Sequence, residues 1–86
     1  METNVVTFTI TTSFDEWAKV YDGSIEMAKQ AGITSLFRGV DKEDPTKVCV
    51  VMQAQPGVID SFMASNAEMI ASSGHVLEST AVSVYL

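Results

Sequence analysis

The chain has 86 residues, of which 47% are hydrophobic and 19% are charged, and its formal net charge is −6. This length suits one domain with a single modest core, and the composition excludes a disordered chain. Eleven acidic residues against five basic ones argue against nucleic acid and membranes as partners, because phosphate-binding surfaces need clustered lysine and arginine.

The first predicted elements are a strand and an amphipathic helix. Residues 5–11 alternate apolar side chains with threonine, which predicts a strand with one apolar face. Ser13 and Glu16 have the spacing of a capping box, so a helix is predicted to begin there. Apolar side chains then recur at helical spacing as far as Gly32, which stands at the usual position of a C-terminal glycine.

Two strands follow, and the second is apolar on both faces. Residues 33–40 and 47–54 are predicted to pair as an antiparallel hairpin across a charged turn. In 47–54 one alternating set is Val48, Val50 and Met52, and the other is Cys49 and Val51. This pattern predicts a central strand covered on both faces, and either set fits against the helices.

The chain ends with a second helix and a last strand. Pro56 and Gly57 start the helix, Gly74 ends it, and residues 76–86 predict the strand. The order of elements predicts an α+β, ferredoxin-like βαββαβ fold in a single domain, 1–86. Its four-stranded antiparallel sheet has the first and third strands in the centre, and both helices lie on one face.

Helices on one face leave the other face of the sheet uncovered. A contiguous apolar patch on a protein surface usually marks an interface or a binding site. The long last strand, at an edge, adds unpaired backbone groups that need protection. We therefore expect a homodimer in which two sheets stack face to face.

Three segments carry a resemblance to a known family: Phe14-Asp-Glu-Trp17, Leu36-Phe-Arg-Gly-Val40 with the Asp-Lys-Glu-Asp-Pro loop that follows it, and Gly74-His-Val-Leu-Glu-Ser-Thr80 with the final Val82-Ser-Val-Tyr-Leu86. They resemble a small family of cyanobacterial proteins without an assigned activity, within the dimeric α+β barrel superfamily. The resemblance covers almost the whole chain and implies that two ferredoxin-like sheets close into one barrel. The superfamily includes cofactor-free monooxygenases, haem-degrading enzymes, isomerases and decarboxylases, so the fold does not choose an activity.

Haem-degrading members of that superfamily use an asparagine, a tryptophan and a histidine. The chain contains Asn66, Trp17 and His75, but the histidine follows Gly74 instead of lying within the second helix. We therefore do not transfer those roles, and we expect no cofactor. The sequence also has no metal-ligand cluster, glycine-rich phosphate loop or nucleophile elbow.

The two candidate catalytic residues are His75 and Arg38. His75 is the only side chain that ordinarily titrates near neutral pH, but a cation is also favoured at a helix C-terminus for structural reasons, which is the commoner case. Arg38 fits two roles equally well. It would anchor a carboxylate or enolate in a cavity, or, at the edge of the sheet, extend into solvent or pair with an acid.

The candidate ligand-binding residues are Asn66, Tyr21, Trp17 and Arg38. Asn66 is predicted in the apolar stripe of the second helix, where its amide needs partners, and a backbone group is a commoner partner than a ligand. Trp17 and Tyr21 share the apolar stripe of the first helix. Core packing is their default role, and the polar tips of their rings remain for a ligand.

Cys49 has no second cysteine to pair with, and its apolar strand predicts a buried structural thiol. The N-terminal residues lack the pattern of a secretory signal, and no apolar run is long enough to cross a bilayer. These features favour the cytoplasm.

The sequence therefore favours a homodimer that binds a small, largely apolar molecule in a barrel or in a pocket between sheet and helices. One alternative is a cofactor-independent monooxygenase- or isomerase-like enzyme that uses His75 and Arg38. A second alternative is a purely structural or interaction module, whose interior is filled by its own side chains.

Overall fold

The computed structural model describes residues 1–86 and confirms the predicted βαββαβ ferredoxin-like fold. The strands form one antiparallel sheet in the order β2-β3-β1-β4, so the first and third strands are central as predicted. None of the helices combines the length and the hydrophobicity of a membrane span. The elements are β1 (Glu2–Thr9), α1 (Phe14–Gln30), β2 (Thr34–Val40), β3 (Lys47–Ala54), α2 (Val58–Ser65), α3 (Ala67–Ser72) and β4 (Ala81–Tyr85), with a 3-10 turn at Leu77–Ser79.

Both ends of α1 have the caps that the sequence predicts. The Ser13 hydroxyl accepts a hydrogen bond from the Glu16 backbone N–H at 3.2 Å. At the other end Gly32 has φ 92°, and the Ile33 N–H donates to the Ala28 carbonyl at 2.9 Å. This is the Schellman arrangement, which glycine favours because it has no Cβ to clash in the left-handed region. The turn leads directly into β2.

The second predicted helix is divided in two at Asn66. This residue has φ −118° and ψ 22°, outside the helical region. Its side-chain Nδ2 donates to the Phe62 carbonyl at 2.8 Å, where the backbone N–H of Asn66 also donates at 3.1 Å. A short polar side chain that hydrogen-bonds the nearby backbone competes with a regular helix. The helix therefore stops and restarts as α3.

The last strand begins later than predicted. Residues 76–80 were expected to be extended, but Leu77–Ser79 form a 3-10 turn and β4 starts at Ala81. The Ser79 hydroxyl accepts from the Thr9 N–H at 2.8 Å and donates to the Val76 carbonyl at 2.6 Å. A side-chain hydroxyl thus takes the place of a strand partner at the end of β1.

The register of β1 against β3 decides which face of β3 meets the helices. Val6 lies opposite Val50, and Phe8 lies opposite Val48. All four are buried in one cluster with Trp17 of α1. The set containing Val48, Val50 and Met52 therefore faces the helices, and the alternating apolar residues of β1 complete that layer.

The opposite face of the sheet is open, as predicted. Val5 and Val51 are neighbours across β1 and β3 on this face, and Cys49 lies beside Thr7. Cys49 is partly exposed, so the prediction of a buried thiol is wrong for the single chain. Phe37 of β2 is 54% exposed on the same face. This surface, which contains Val5, Val51, Cys49, Thr7 and Phe37, is the open face of the sheet.

Candidate functional site

A cavity of about 90 Å³ lies between the helix-covered face of the sheet and the helices. Thirteen of its sixteen lining residues are hydrophobic, and the other three are Ser24, Ser73 and His75. No lysine, arginine, aspartate or glutamate is among them. The cavity is therefore an apolar space with few polar contacts to offer.

Aromatic rings form one continuous series along this cavity. Trp17 is 3% exposed, and its ring centroid lies 5.0 Å from that of Tyr21 and 5.5 Å from that of Phe8. Phe8 stacks in turn on His75, with centroids 3.7 Å apart and an angle of 4° between the planes. The series joins α1 to β1 and to the segment that precedes β4, so two of the predicted ligand-binding residues and one predicted catalytic residue come together here.

His75 is fixed at the junction between α3 and the 3-10 turn. Gly74 has φ 99°, and its carbonyl accepts from the Thr11 N–H at 2.8 Å. The His75 Nε2 lies 2.6 Å from the Thr80 hydroxyl, and either atom can donate. Burial lowers the pKa of His75 from 6.5 to about 4, so the ring is neutral at pH 7.

The other ring nitrogen of His75, Nδ1, has no hydrogen-bond partner within the chain. No fully buried side-chain nitrogen or oxygen in the protein lacks a partner, so Nδ1 retains some accessible surface. His75 lines the cavity. The cavity is thus lined by a histidine with one ring nitrogen that makes no hydrogen bond within the chain.

Tyr21 brings a second polar group to the cavity, but its hydroxyl is engaged. It lies 2.5 Å from the Ser35 hydroxyl on β2. Burial raises the pKa of Tyr21 above its ordinary value, so the phenol stays protonated. The Tyr21–Ser35 contact ties α1 to β2 and leaves the aromatic ring against the cavity.

Arg38 does not line the cavity. Its Nε donates to Oδ1 of Asp22 at 2.7 Å, and its Nη2 donates to Oδ2 at 2.8 Å. The guanidinium also lies 5.6 Å from the centre of the Phe14 ring. The hydrogen bond from Arg38 holds the pKa of Asp22 below its usual range. Of the two roles that fit the sequence, the structure contains the pairing with an acid.

Asn66 also lies away from the cavity. With Pro56, Gly57 and Ser65 it borders a separate surface depression. Its amide nitrogen is bonded to the backbone of α2, which is the commoner of the two alternatives.

The wall formed by α2 and α3 is the least restrained part of the cavity. Ile59, Phe62 and Met63 line it from α2, and Met69 and Ile70 from α3. The helices hydrogen-bond only within themselves and to the adjoining turns, and Ile59 is their one buried residue. Methionine side chains adapt easily to irregular shapes. This side of the cavity can therefore adjust to a ligand.

Residues 1–86 match the family model described as "Domain of unknown function (DUF3764)". The chain belongs to this family. No curated protein matches this DUF3764 chain significantly. No group of three or more His, Cys, Asp or Glu side chains comes together in a way that would hold a metal ion.

Solved structures show the same fold. A protein from Bordetella bronchiseptica, assigned to the antibiotic biosynthesis monooxygenases, is similar with a TM-score of 0.73 and 12% identity over 99% of the DUF3764 chain and 94% of its own. The ActVA-Orf6 monooxygenase of Streptomyces coelicolor, in complex with nanaomycin D, has a TM-score of 0.64 and 17% identity over 98% and 84% of the two chains. At these identities the likeness concerns the fold alone.

Sequence reasoning missed the hydrogen-bond partners of His75 and Tyr21 in the DUF3764 chain. Thr80 follows His75 by five residues, and in an extended chain two residues at that spacing point to opposite faces. Only the 3-10 turn brings them together. Ser35 lies at the start of β2, where the register against β3 shifts, and no pattern in the sequence marks that shift.

Proposed function

We propose that this DUF3764 protein binds a small, largely apolar molecule in the cavity between the sheet and the helices. The observation that carries the proposal is an apolar cavity lined by His75, whose Nδ1 makes no hydrogen bond within the chain. Such sites hold a ligand by apolar contact and orient it with a few polar groups. The similar monooxygenase from Streptomyces coelicolor, solved with nanaomycin D, lends the proposal support from a protein of the same fold.

In this proposal Trp17 and Tyr21 contact the apolar body of the ligand, and His75 contacts its polar end. Both aromatic rings and the histidine line the same cavity. Arg38 and Asn66 are not part of the proposed site, because their side chains are bonded elsewhere and do not line the cavity.

The test uses Trp17, which is the only tryptophan of the chain. A neutral nitroaromatic probe, 4-nitroanisole, should quench Trp17 fluorescence with a saturable curve, because Trp17 lines the cavity and a nitroaromatic ring bound there lies close to the indole. Ile70→Phe fills part of the cavity from α3, and the probe should then bind at least about tenfold more weakly. Met27→Phe is the matched control, since Met27 is exposed on α1 and does not line the cavity. Equal affinity in all three proteins would place the probe elsewhere and contradict the proposal.

We further propose that two chains associate through the open face. Val5 and Val51 form an apolar centre there, and Phe37 is 54% exposed beside it. An uncovered apolar patch of this kind is typical of an interface. A second sheet stacked on this face would cover these side chains.

The dimer predicts a specific response to charge. Native mass spectrometry of the wild type should give a dimer, and Val51→Glu should give a monomer, because a carboxylate at the centre of a sheet-to-sheet interface loses its water without a partner. Ile25→Glu, on the exposed side of α1, should leave the dimer intact. A monomeric wild-type protein would overturn the proposed association.

A cofactor-independent monooxygenase- or isomerase-like enzyme is the second candidate function. It is favoured by the position of His75 on the cavity wall and by the activity named for the Streptomyces coelicolor structure. The role of His75 would be proton transfer to or from a bound substrate. Turnover that survives unchanged in His75→Ala would remove that role.

Cytoplasmic location and cyanobacterial affiliation remain predictions from the sequence. The first is based on the unpaired Cys49. The second is based on the resemblance of the three segments quoted above.

A further inference from the structure

The titratable groups of the cavity are few and neutral. They are Tyr21, from α1, and His75, from the segment before β4. β1, β3, α2 and α3 contribute only apolar lining residues, apart from the hydroxyl of Ser73 that follows α3. A bound anion or cation would find no opposite charge in the wall.

The nearest candidate counter-ion for an anion is already neutralised. Arg38 lies on the helix side of β2, but both of its hydrogen-bonded nitrogens face the carboxylate of Asp22. Its guanidinium is held over Phe14 and outside the cavity lining. Recruiting Arg38 to a ligand would require breaking a two-point ion pair.

The pKa shifts of the two titratable groups agree with an environment that disfavours charge. Burial is the largest cause that raises the pKa of Tyr21, and burial lowers the pKa of His75 to about 4. One group would be an anion and the other a cation, and both are driven to the uncharged form. Desolvation disfavours positive and negative charge alike. A charged ligand in the same cavity therefore pays the same kind of desolvation cost.

We infer that the cavity binds only the uncharged form of its ligands, which are neutral molecules with a hydrogen-bond donor such as a hydroxyl or an acceptor such as a carbonyl or nitro group, and that it rejects carboxylates and phenolates. The inference rests on the proposed binding function and narrows its ligand class. The free Nδ1 of His75 serves both kinds of polar group. If Thr80 donates to Nε2, Nδ1 carries the proton and donates to a carbonyl; if Nε2 donates to Thr80, Nδ1 accepts from a hydroxyl.

The preference for uncharged ligands also limits which reaction intermediates the cavity can stabilise. An enzyme that works through an enolate or a phenolate stabilises an anion with nearby donors or cations. The cavity contains one neutral imidazole, one phenol and two serines for that purpose. The Tyr21 phenol is hydrogen-bonded to Ser35, and the hydroxyls of both serines donate to backbone carbonyls. The site is suited to holding an uncharged molecule and not to stabilising an anionic intermediate.

The experiment compares two probes of nearly the same shape. 4-Nitrophenol ionises near neutral pH, whereas 4-nitroanisole carries a methyl group in place of the proton and does not ionise. Dissociation constants are measured by Trp17 quenching from about pH 6 to about pH 9, a range in which His75 stays neutral because its pKa is about 4. The affinity for 4-nitrophenol should fall about tenfold per pH unit above the pKa of the probe, and that for 4-nitroanisole should stay constant.

Two variants sharpen the comparison. Ile70→Phe should weaken the binding of both probes without changing how the affinity for 4-nitrophenol varies with pH, because it alters the volume of the cavity and not its charge. Val20→Lys places an ammonium at the cavity wall on a residue that is 44% exposed, and it should flatten the slope for 4-nitrophenol. A wild-type affinity for 4-nitrophenol that does not change with pH would overturn the inference while leaving the proposed binding function standing. Failure of both probes to bind would overturn the binding function and the inference with it.

Discussion

Replacing Trp17 by alanine should lower the free energy of unfolding by about 3–5 kcal/mol. The ring is 3% exposed and contacts the rings of Phe8, Phe14 and Tyr21. It is the largest side chain that joins α1 to the sheet, so its removal leaves a cavity that the neighbours fill only in part. Small domains have a total stability of about 5–15 kcal/mol, so this variant should lose a large fraction of it.

Urea unfolding followed by far-ultraviolet circular dichroism measures this loss without needing tryptophan fluorescence. Tyr21→Phe is the matched control, because it lies one turn away on the same helix and removes only the hydroxyl bonded to Ser35. The control should lose about 1 kcal/mol, the usual contribution of one hydrogen bond. If Trp17→Ala lost no more than Tyr21→Phe, α1 would be held to the sheet by something other than this ring.

The fold was predictable because its main elements have strong periodicity. Residues 47–54 were predicted as a strand and form β3 with the same bounds. The sequence of β3 alone did not show which of its faces packs against the helices, because both alternating sets of side chains are apolar. It follows from β1, where Val6 and Phe8 alternate with threonines and pair with Val50 and Val48.

The departures from the predicted elements have a common cause. Asn66 and Ser79 each hydrogen-bond the nearby backbone with their side chains, and each sits where a predicted element is interrupted. The periodicity of apolar residues gives no sign of such local competition between side chain and backbone. Both residue types are tolerated in regular elements when their side chains point to solvent, so the sequence alone does not tell the two cases apart.

The candidate site was predictable in its apolar part and not in its polar part. The helical stripe placed Trp17 and Tyr21 on the buried side of α1, where they line the cavity. The environment of His75 depends on Thr80 and on the stack with Phe8, which come from the 3-10 turn and from β1. Such contacts join distant elements and follow only from the assembled fold.

The stability of the protein should fall as the pH decreases from 6.5 toward 4, and His75 should be the cause. Its pKa is 6.5 in the unfolded chain and about 4 in the folded one, because burial disfavours the charged ring. Between these values the unfolded chain binds a proton that the folded chain excludes. The contribution of the neutral ring is fully present above pH 6.5 and is lost as the pH falls through about 4, amounting to about 3 kcal/mol.

His75→Gln isolates this effect, because glutamine keeps a polar side chain near Thr80 and does not titrate. The difference in unfolding free energy between wild type and His75→Gln should shrink steadily as the pH falls through that window. Asp22 and Asp44 affect stability in a different pH range. Hydrogen bonds lower the pKa values of both carboxyls from 3.8, so their contributions to stability are lost mainly at lower pH. A difference that stays constant from pH 6.5 to 4 would mean that the folded protein accepts a charged His75, and the same result would weaken the argument that the cavity rejects charge.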